Sequence, residues 1–331
     1  MKKEQNGKGR LSLFALLAFA ALFCVSSYKV FSQLIVDYQQ SKAFTSLIEQ
    51  VYQARGNPDM LARGEMEEAA VAAAQGTGAS APAQFADSVP DARGTGETAP
   101  GQFPSDGASA RESAAQGENG PALGQPAGVS GANPSASPEP PMLSAYAPLH
   151  SQNEDFFGWI EIADTEVNYP VMHTPEDPEF YLHRGFDRAE VYSGVPFLSA
   201  DCFLGCGNFI VFGHNMKNGT QFATIPKYKN KAFWEAHPSI RFDTLYETGI
   251  YDVVAAFYSQ AYPEDAVGVF RYYRYSDLRK EETFAEYVEQ VKAVALYETG
   301  IELQFGDQLL TLSTCEYHKT DGRFVVVARK R

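Results

Sequence analysis

The spacing of apolar positions changes several times along this chain. Leu11 to Val25 is an almost unbroken apolar run, with Ser12 and Cys24 as its mild interruptions. Beyond it, Phe31, Leu34, Ile35 and Tyr38 recur at helical intervals, and so do Phe44, Leu47, Ile48 and Val51. That spacing predicts one apolar face on a helix over 29–56, which has to cover itself with the folded domain or with a second copy. After Met142 the period shortens. Gly158–Ile162, Val167–Val171, Asn208–Phe212, Tyr251–Phe257, Gln308–Leu312 and Arg323–Ala328 are short β-rich runs separated by turn signals. Several such strands at this spacing predict a closed or nearly closed barrel. One helix interrupts them, with Ser276-Asp277 as its cap, Phe284, Tyr287, Val288, Val291 and Leu296 as its apolar face, and Thr299-Gly300 as its stop. A shorter helix is expected around Gln221 to Ala236.

The ends of these patterns suggest an address. Lys2, Lys3, Lys8 and Arg10 precede the first apolar run, against Glu4 alone. A basic stub before an apolar run reads as a signal peptide or signal-anchor. The run is short for a full span of ~20 residues, but the pattern resumes at Val30 and Phe31 and extends it. Cleavage after Ser26-Ser27 is the alternative. A lipoprotein reading of Cys24 is opposed by the bulky Phe23 before it. The positive charges are expected to stay cytoplasmic and place the remainder outside.

Residues 71–140 obey no period. Ala, Gly, Pro and Ser fill 45 of these 70 positions, and the segment has no Trp, Tyr, Ile or Lys. Such a composition buries too little apolar surface to offset its ordering entropy. The expectation is a tether over 57–141 with a reach of roughly 50 Å. The organisation read from the sequence is therefore a stub and signal-anchor at 1–28, an amphipathic helix at 29–56, the linker, and a catalytic-sized domain at 142–331. The net charge of −14 argues against general nucleic-acid binding. The sequence contains no phosphate loop or nucleotide fingerprint, and no cofactor is implied.

Candidate chemistry lies at strand ends. Cys315 closes the run Thr311-Leu312-Ser313-Thr314, and the turn pair Asp321-Gly322 precedes Arg323. If these two strands pair antiparallel, Cys315 and Arg323 sit side by side, at a strand mouth where the arginine is expected to be partly solvated. A guanidinium there can favour a thiolate or hydrogen-bond an oxyanion on a substrate carbonyl. His214 follows another strand, in Phe212-Gly213-His214-Asn215-Met216, and His is the usual proton partner of a nucleophilic Cys. On spacing alone, a Cys at a strand end is more often a small core residue than a nucleophile.

The residues themselves say more. Thr311–Cys315 followed by Arg323–Ala328 is similar to the sortase signature, and Gly213-His214-Asn215-Met216 resembles the histidine motif of class B sortases. Gly158-Trp159-Ile160, Tyr181-Leu182-His183 and the segment Lys217 to Pro238 match as well. The resemblance covers about 145–331. It implies a mainly β fold, a sortase-like eight-stranded β-barrel with helical insertions; the membrane and amphipathic helix and the disordered linker precede it here, and the length of that linker departs from the family pattern. It also implies a thiol peptidase of the hydrolase class that works as a transpeptidase, membrane-anchored and facing the Gram-positive cell wall. Such enzymes cleave a C-terminal sorting signal of secreted proteins and join the new end to an amine of a peptidoglycan precursor or another acceptor. Carried over, Cys315 is the nucleophile, His214 the general acid/base and Arg323 the oxyanion or substrate clamp, with the Glu316 main chain as a further oxyanion donor.

Other residues carry less. Cys202 and Cys206 stand four apart, with His214 eight further on. A disulfide or two free thiols both fit, whereas a zinc site lacks an obvious fourth ligand. The cluster Tyr272-Tyr273-Tyr275 with Arg271 and Arg274 fits a peptide groove or simple packing. His318 lies in the loop beside Cys315, and His173, His183 and His237 read as surface or packing residues. Polymerisation of pilin subunits is a variant of the transpeptidase reading. A non-catalytic, membrane-tethered barrel that binds wall or peptide is the competing class.

Overall fold

The computed structural model describes residues 5–56, 140–317 and 320–331. The expected linker lies almost wholly outside these residues, as does His318. The amino-end helix, α1 (Gln5–Ala54), is a single uninterrupted element of 50 residues, with no break where the anchor and the amphipathic helix were expected to meet. Its stripe is divided. Phe31, Ile35 and Tyr38 are exposed, whereas Phe44, Leu47, Val51 and Tyr52 are buried. Most side chains of the Leu11–Val25 run lie outside the described residues. Among the described residues no helix is long and apolar enough to cross a membrane.

The described residues from 140 onward build an eight-stranded closed barrel. Its strands are β1 (Phe156–Glu161), β2 (Asn168–Met172), β3 (Phe197–Leu198), β4 (Asn208–Gly213), β5 (Ser239–Thr244), β6 (Ile250–Gln260), β7 (Leu309–Cys315) and β8 (Gly322–Lys330). The order around the barrel is β1-β2-β3-β4-β7-β8-β6-β5. Most neighbours are antiparallel, but β2 runs parallel to β3 and β4 to β7, the latter with Gly213 beside Thr314. Closure leaves no free strand edge. It also forces a tight approach at Gly158, where an added Cβ would stand 2.2 Å from the Asp243 carbonyl oxygen.

Helices α2 (Ala147–Gln152), α3 (Lys231–Ala236) and α4 (Glu281–Val294) decorate the barrel. α4 starts later than its expected cap. Ser276 and Leu278 are stitched to the turn before β4, through Asn208 N–H to the Ser276 carbonyl and Leu278 N–H to the Cys206 carbonyl. Asp277 binds Arg279 instead of capping. The helix ends at Val294, so Leu296 lies beyond it, its amide donated to Ala256. The expected helix over 221–236 is a 3-10 turn, Phe222–Lys229, followed by the short α3, because Pro226 cannot donate to a regular α-helical ladder.

Burial along the central strands is continuous rather than alternating. Every residue of β4 is buried, as are Leu309–Thr314 of β7 and Gly322–Ala328 of β8. A strand buried on both faces needs a second cover besides the barrel interior. The connection between β6 and β7 supplies it: Tyr287 of α4 hydrogen-bonds Thr311 at 2.9 Å, and Tyr272 bonds Ser313 at 2.6 Å. The Tyr272-Tyr273 pair is therefore packing, not an open groove, since both are buried.

Candidate active site

Strand geometry determines which side chains meet. Side chains alternate along a strand, so Thr311, Ser313 and Cys315 share one face of β7. The β6–β7 connection covers that face at Thr311 and Ser313. Cys315 is the next residue of the same face and is half-buried. On β8, Arg323 is the direct antiparallel partner of Cys315, and directly opposed residues project to the same side. Asp321, at φ 54°, makes the left-handed turn that sets this register.

His214 arrives from β4. Because Gly213 lies beside Thr314, the residues that follow, His214 and Cys315, leave neighbouring strand ends together. Thr314 Oγ1 donates to the Gly213 carbonyl at 2.7 Å, and Asn215 Nδ2 donates to the Cys315 carbonyl at 2.9 Å. Two hydrogen bonds thus tie the histidine loop to the cysteine strand. The loop itself folds back through Phe222 N–H on the His214 carbonyl. Gln221 turns it at φ 56°, held by the Tyr169 hydroxyl on its amide and by its own Nε2 on the Gly194 carbonyl.

The imidazole is oriented from the other side. His214 Nε2 stands 2.9 Å from the Leu182 carbonyl oxygen. A carbonyl only accepts, so the neutral ring carries its proton on Nε2 and leaves Nδ1 as the basic nitrogen. His183 stacks on His214 at 5.4 Å between centroids. Burial lowers the His214 pKa, and the charges of His183 and Arg323 press it further down against the Leu182 hydrogen bond. Burial raises the Cys315 thiol, Arg323 pulls it back, and Asp321 raises it again. Both directions favour a thiol on Cys315 and a neutral imidazole on His214 at neutral pH.

A family model for the sortase domain matches residues 160–331. The chain belongs to the sortase family. It is similar to sortase B of Listeria monocytogenes, 31% identical over 189 residues covering 54% of this chain and 70% of that protein. Sortase B of Staphylococcus aureus is 28% identical over 185 residues, covering 55% and 72%. Among solved structures, a Staphylococcus aureus sortase B–substrate complex superposes with a TM-score of 0.51 at 27% identity, over 58% of this chain and 86% of that one. These likenesses assign this sortase to class B, a family of cysteine transpeptidases that act in cell-wall anchoring.

Two expectations about this sortase's site need correction. Arg323 is not solvated but buried, with 1% of its surface exposed. The β6–β7 connection reaches this strand mouth: buried Tyr272 lies close enough to feel the charges of both Arg323 and Cys315. The Glu316 amide is not open to an oxyanion either, because it donates to the Gly322 carbonyl at 2.9 Å. The zinc reading also fails on placement. Cys202 and Cys206 precede β4 and His214 follows it, with a six-residue strand of about 20 Å between them. Among the described residues no group of three His, Cys, Asp or Glu could hold a metal ion. His237 is bonded to the Ala163 carbonyl, away from the site. Sequence reasoning missed the Leu182 carbonyl, since a backbone acceptor has no residue signature; only its neighbour His183 hinted at it.

Proposed function

We propose that this sortase is membrane-anchored through α1, with its barrel outside the cell, and that Cys315, His214 and Arg323 perform the transfer. The observation that carries the assignment of residues is the register that opposes Cys315 to Arg323 and brings His214 off the neighbouring strand end. The anchor rests on the basic stub and the apolar run Leu11–Val25 within a continuous helix of about 75 Å.

The reaction starts from the neutral pair. His214 Nδ1 accepts the Cys315 proton as the sulfur attacks the scissile carbonyl of a sorting signal, and a carbon–sulfur bond forms. The Arg323 guanidinium donates to the resulting oxyanion. Collapse breaks the peptide C–N bond, with the His214 proton going to the leaving amine, and leaves a thioester on Cys315. An acceptor amine, from a peptidoglycan precursor or another chain, loses a proton to His214 as it attacks the thioester, and the sulfur departs and recovers its proton. Offering the full chain in detergent a pentapeptide library with amine acceptors should yield ligated peptide–amine products by mass spectrometry. Peptides that bind but are never cut would favour the non-catalytic barrel.

The charges around Cys315 set a pH dependence. Its thiol is raised above the ordinary value of 9.0, so alkylation by iodoacetamide should reach half its limit above that pH. Arg323 lowers this pKa and Asp321 raises it, so Arg323→Ala should move the midpoint up. Asp321→Asn should move it down, since Asn tolerates a positive φ. A midpoint that drops in Arg323→Ala would reverse the assignment of that charge.

A further inference from the structure

The turn before β4 holds a pair of cysteines that the transfer reaction does not use. Cys202 and Cys206 are both buried and both reduced. Their sulfurs converge on one atom, the Asn208 carbonyl oxygen, at 3.6 and 3.3 Å. Ile210 N–H also points at the Cys202 sulfur, at 3.3 Å. Three residues separate the two, Phe203, Leu204 and Gly205, all exposed. Gly205 turns at φ 84° with nothing within 4 Å of an added Cβ. The connecting loop is therefore on the surface while the two sulfurs face inward onto the same carbonyl.

The position matters to the barrel. Asn208 opens β4, and its side chain reaches both the Tyr275 carbonyl and Thr311 of β7. Leu278 N–H binds the Cys206 carbonyl, and Leu309 N–H binds the Gly207 carbonyl. The turn thus pins the starts of β4 and β7, the parallel pair that ends in His214 and Cys315.

We propose that Cys202 and Cys206 are an oxidisable pair that closes a disulfide across this turn and locks the start of β4. The proposal rests on the reading that the barrel lies outside the cell, where disulfides persist. The oxidant is a small-molecule disulfide. The Cys206 thiolate attacks one of its sulfurs, forming a mixed disulfide and releasing one thiolate. Cys202 then attacks the Cys206 sulfur and releases the second. The pair gives up two electrons, and its two protons go to the two released thiolates. Cys206 is the attacking member because the hydrogen bond from Cys202 lowers its pKa, whereas burial raises that of Cys202. The lost S–H donors are weak, so the Asn208 carbonyl loses little. Exchange occurs as the surface turn opens, or before it packs.

The test holds the full chain in mild detergent with oxidised and reduced glutathione. Free thiols are then blocked with light N-ethylmaleimide, disulfides reduced, and the released thiols labelled with the heavy reagent. The expected result is heavy label on Cys202 and Cys206 together, light label on Cys24 and Cys315, and an intact mass lower by about 2 Da before reduction. The oxidised protein should melt about 4–8 °C above the reduced one, and Cys206→Ser should abolish that difference. Light label on Cys202 and Cys206, separate glutathione adducts on each, or an oxidant-dependent melting shift that survives in Cys206→Ser would overturn the pair. Producing cells blocked in the same way distinguish the two premises. A pair that closes in the purified protein but stays light-labelled in cells contradicts the outside placement of the barrel and leaves the thiol chemistry standing.

Discussion

Arg323→Lys should slow acylation of Cys315 by about two to three decades, nearly as much as Arg323→Ala. Lysine keeps the positive charge that lowers the Cys315 thiol, so a purely electrostatic arginine would survive the change. A guanidinium offers several donors in a fixed planar fork, whereas an ammonium is a compact, strongly hydrated point charge. Removing one directed donor to a developing oxyanion costs about 3–4 kcal/mol. Because Arg323 is buried beneath the β6–β7 connection, Arg323→Ala should also destabilise the fold, by about 2–4 kcal/mol for the space it leaves. Thermal melts must therefore establish that each variant is folded at the assay temperature. The readout is single-turnover thioester formation on a peptide selected from the library. An Arg323→Lys protein that acylates within about threefold of wild type would mean that the residue acts as a charge alone.

Gly194→Ala should be nearly as damaging, although Gly194 touches no reacting atom. It sits at φ 55°, where an L side chain is strained by about 1–2 kcal/mol. An added Cβ would stand 2.3 Å from the Leu182 carbonyl oxygen and 2.4 Å from that of Tyr181, so backbone must move. The Leu182 oxygen is the one that orients His214, and the Gly194 carbonyl holds Gln221 in the histidine loop. These two supports of the imidazole pass through this glycine. A misplacement near 1 Å typically costs about 100-fold in rate, and that loss is expected in kcat rather than KM. Gly300→Ala is the control. Gly300 has φ 77° but nothing within 4 Å of an added Cβ, so it should lose about 1 kcal/mol of stability and keep its rate. A folded Gly194→Ala protein with an unchanged rate would show that the Leu182 carbonyl does not control His214.

Much of the barrel was legible because its longer strands carry their own signals. Six runs of β-branched and aromatic residues, bounded by turns, became β1, β2, β4, β6, β7 and β8. The pairing of Cys315 with Arg323 followed from one turn, Asp321-Gly322, between two strands adjacent in sequence. What escaped was fixed by tertiary contacts. β3 is two residues long, too short for a period. β5 alternates Ile240 and Phe242 with Arg241 and Asp243, and its buried Asp243 is satisfied by the Tyr146 hydroxyl at 2.6 Å and the Gly249 amide at 3.1 Å. Those two partners lie outside the strand, whereas a third, the Arg241 guanidinium at 3.0 Å, lies within it. The start of α4 moved because residues 276–278 answer to the turn at 206–208. Arg323 looked solvated for a similar reason: Tyr272, which senses its charge, lies far away along the chain.

The central claim is that Cys315 carries the acyl group between sorting signal and amine. It is tested most directly by the intact mass of the full chain, quenched in acid within one turnover of a cleavable sorting peptide. The expected spectrum shows the enzyme plus the acyl fragment, mapped to Cys315 and discharged when an amine acceptor is added. The adduct should be absent from Cys315→Ala and strongly reduced in His214→Ala. Cleavage that proceeds undiminished in Cys315→Ala, or an acyl group mapped to another residue, would contradict it.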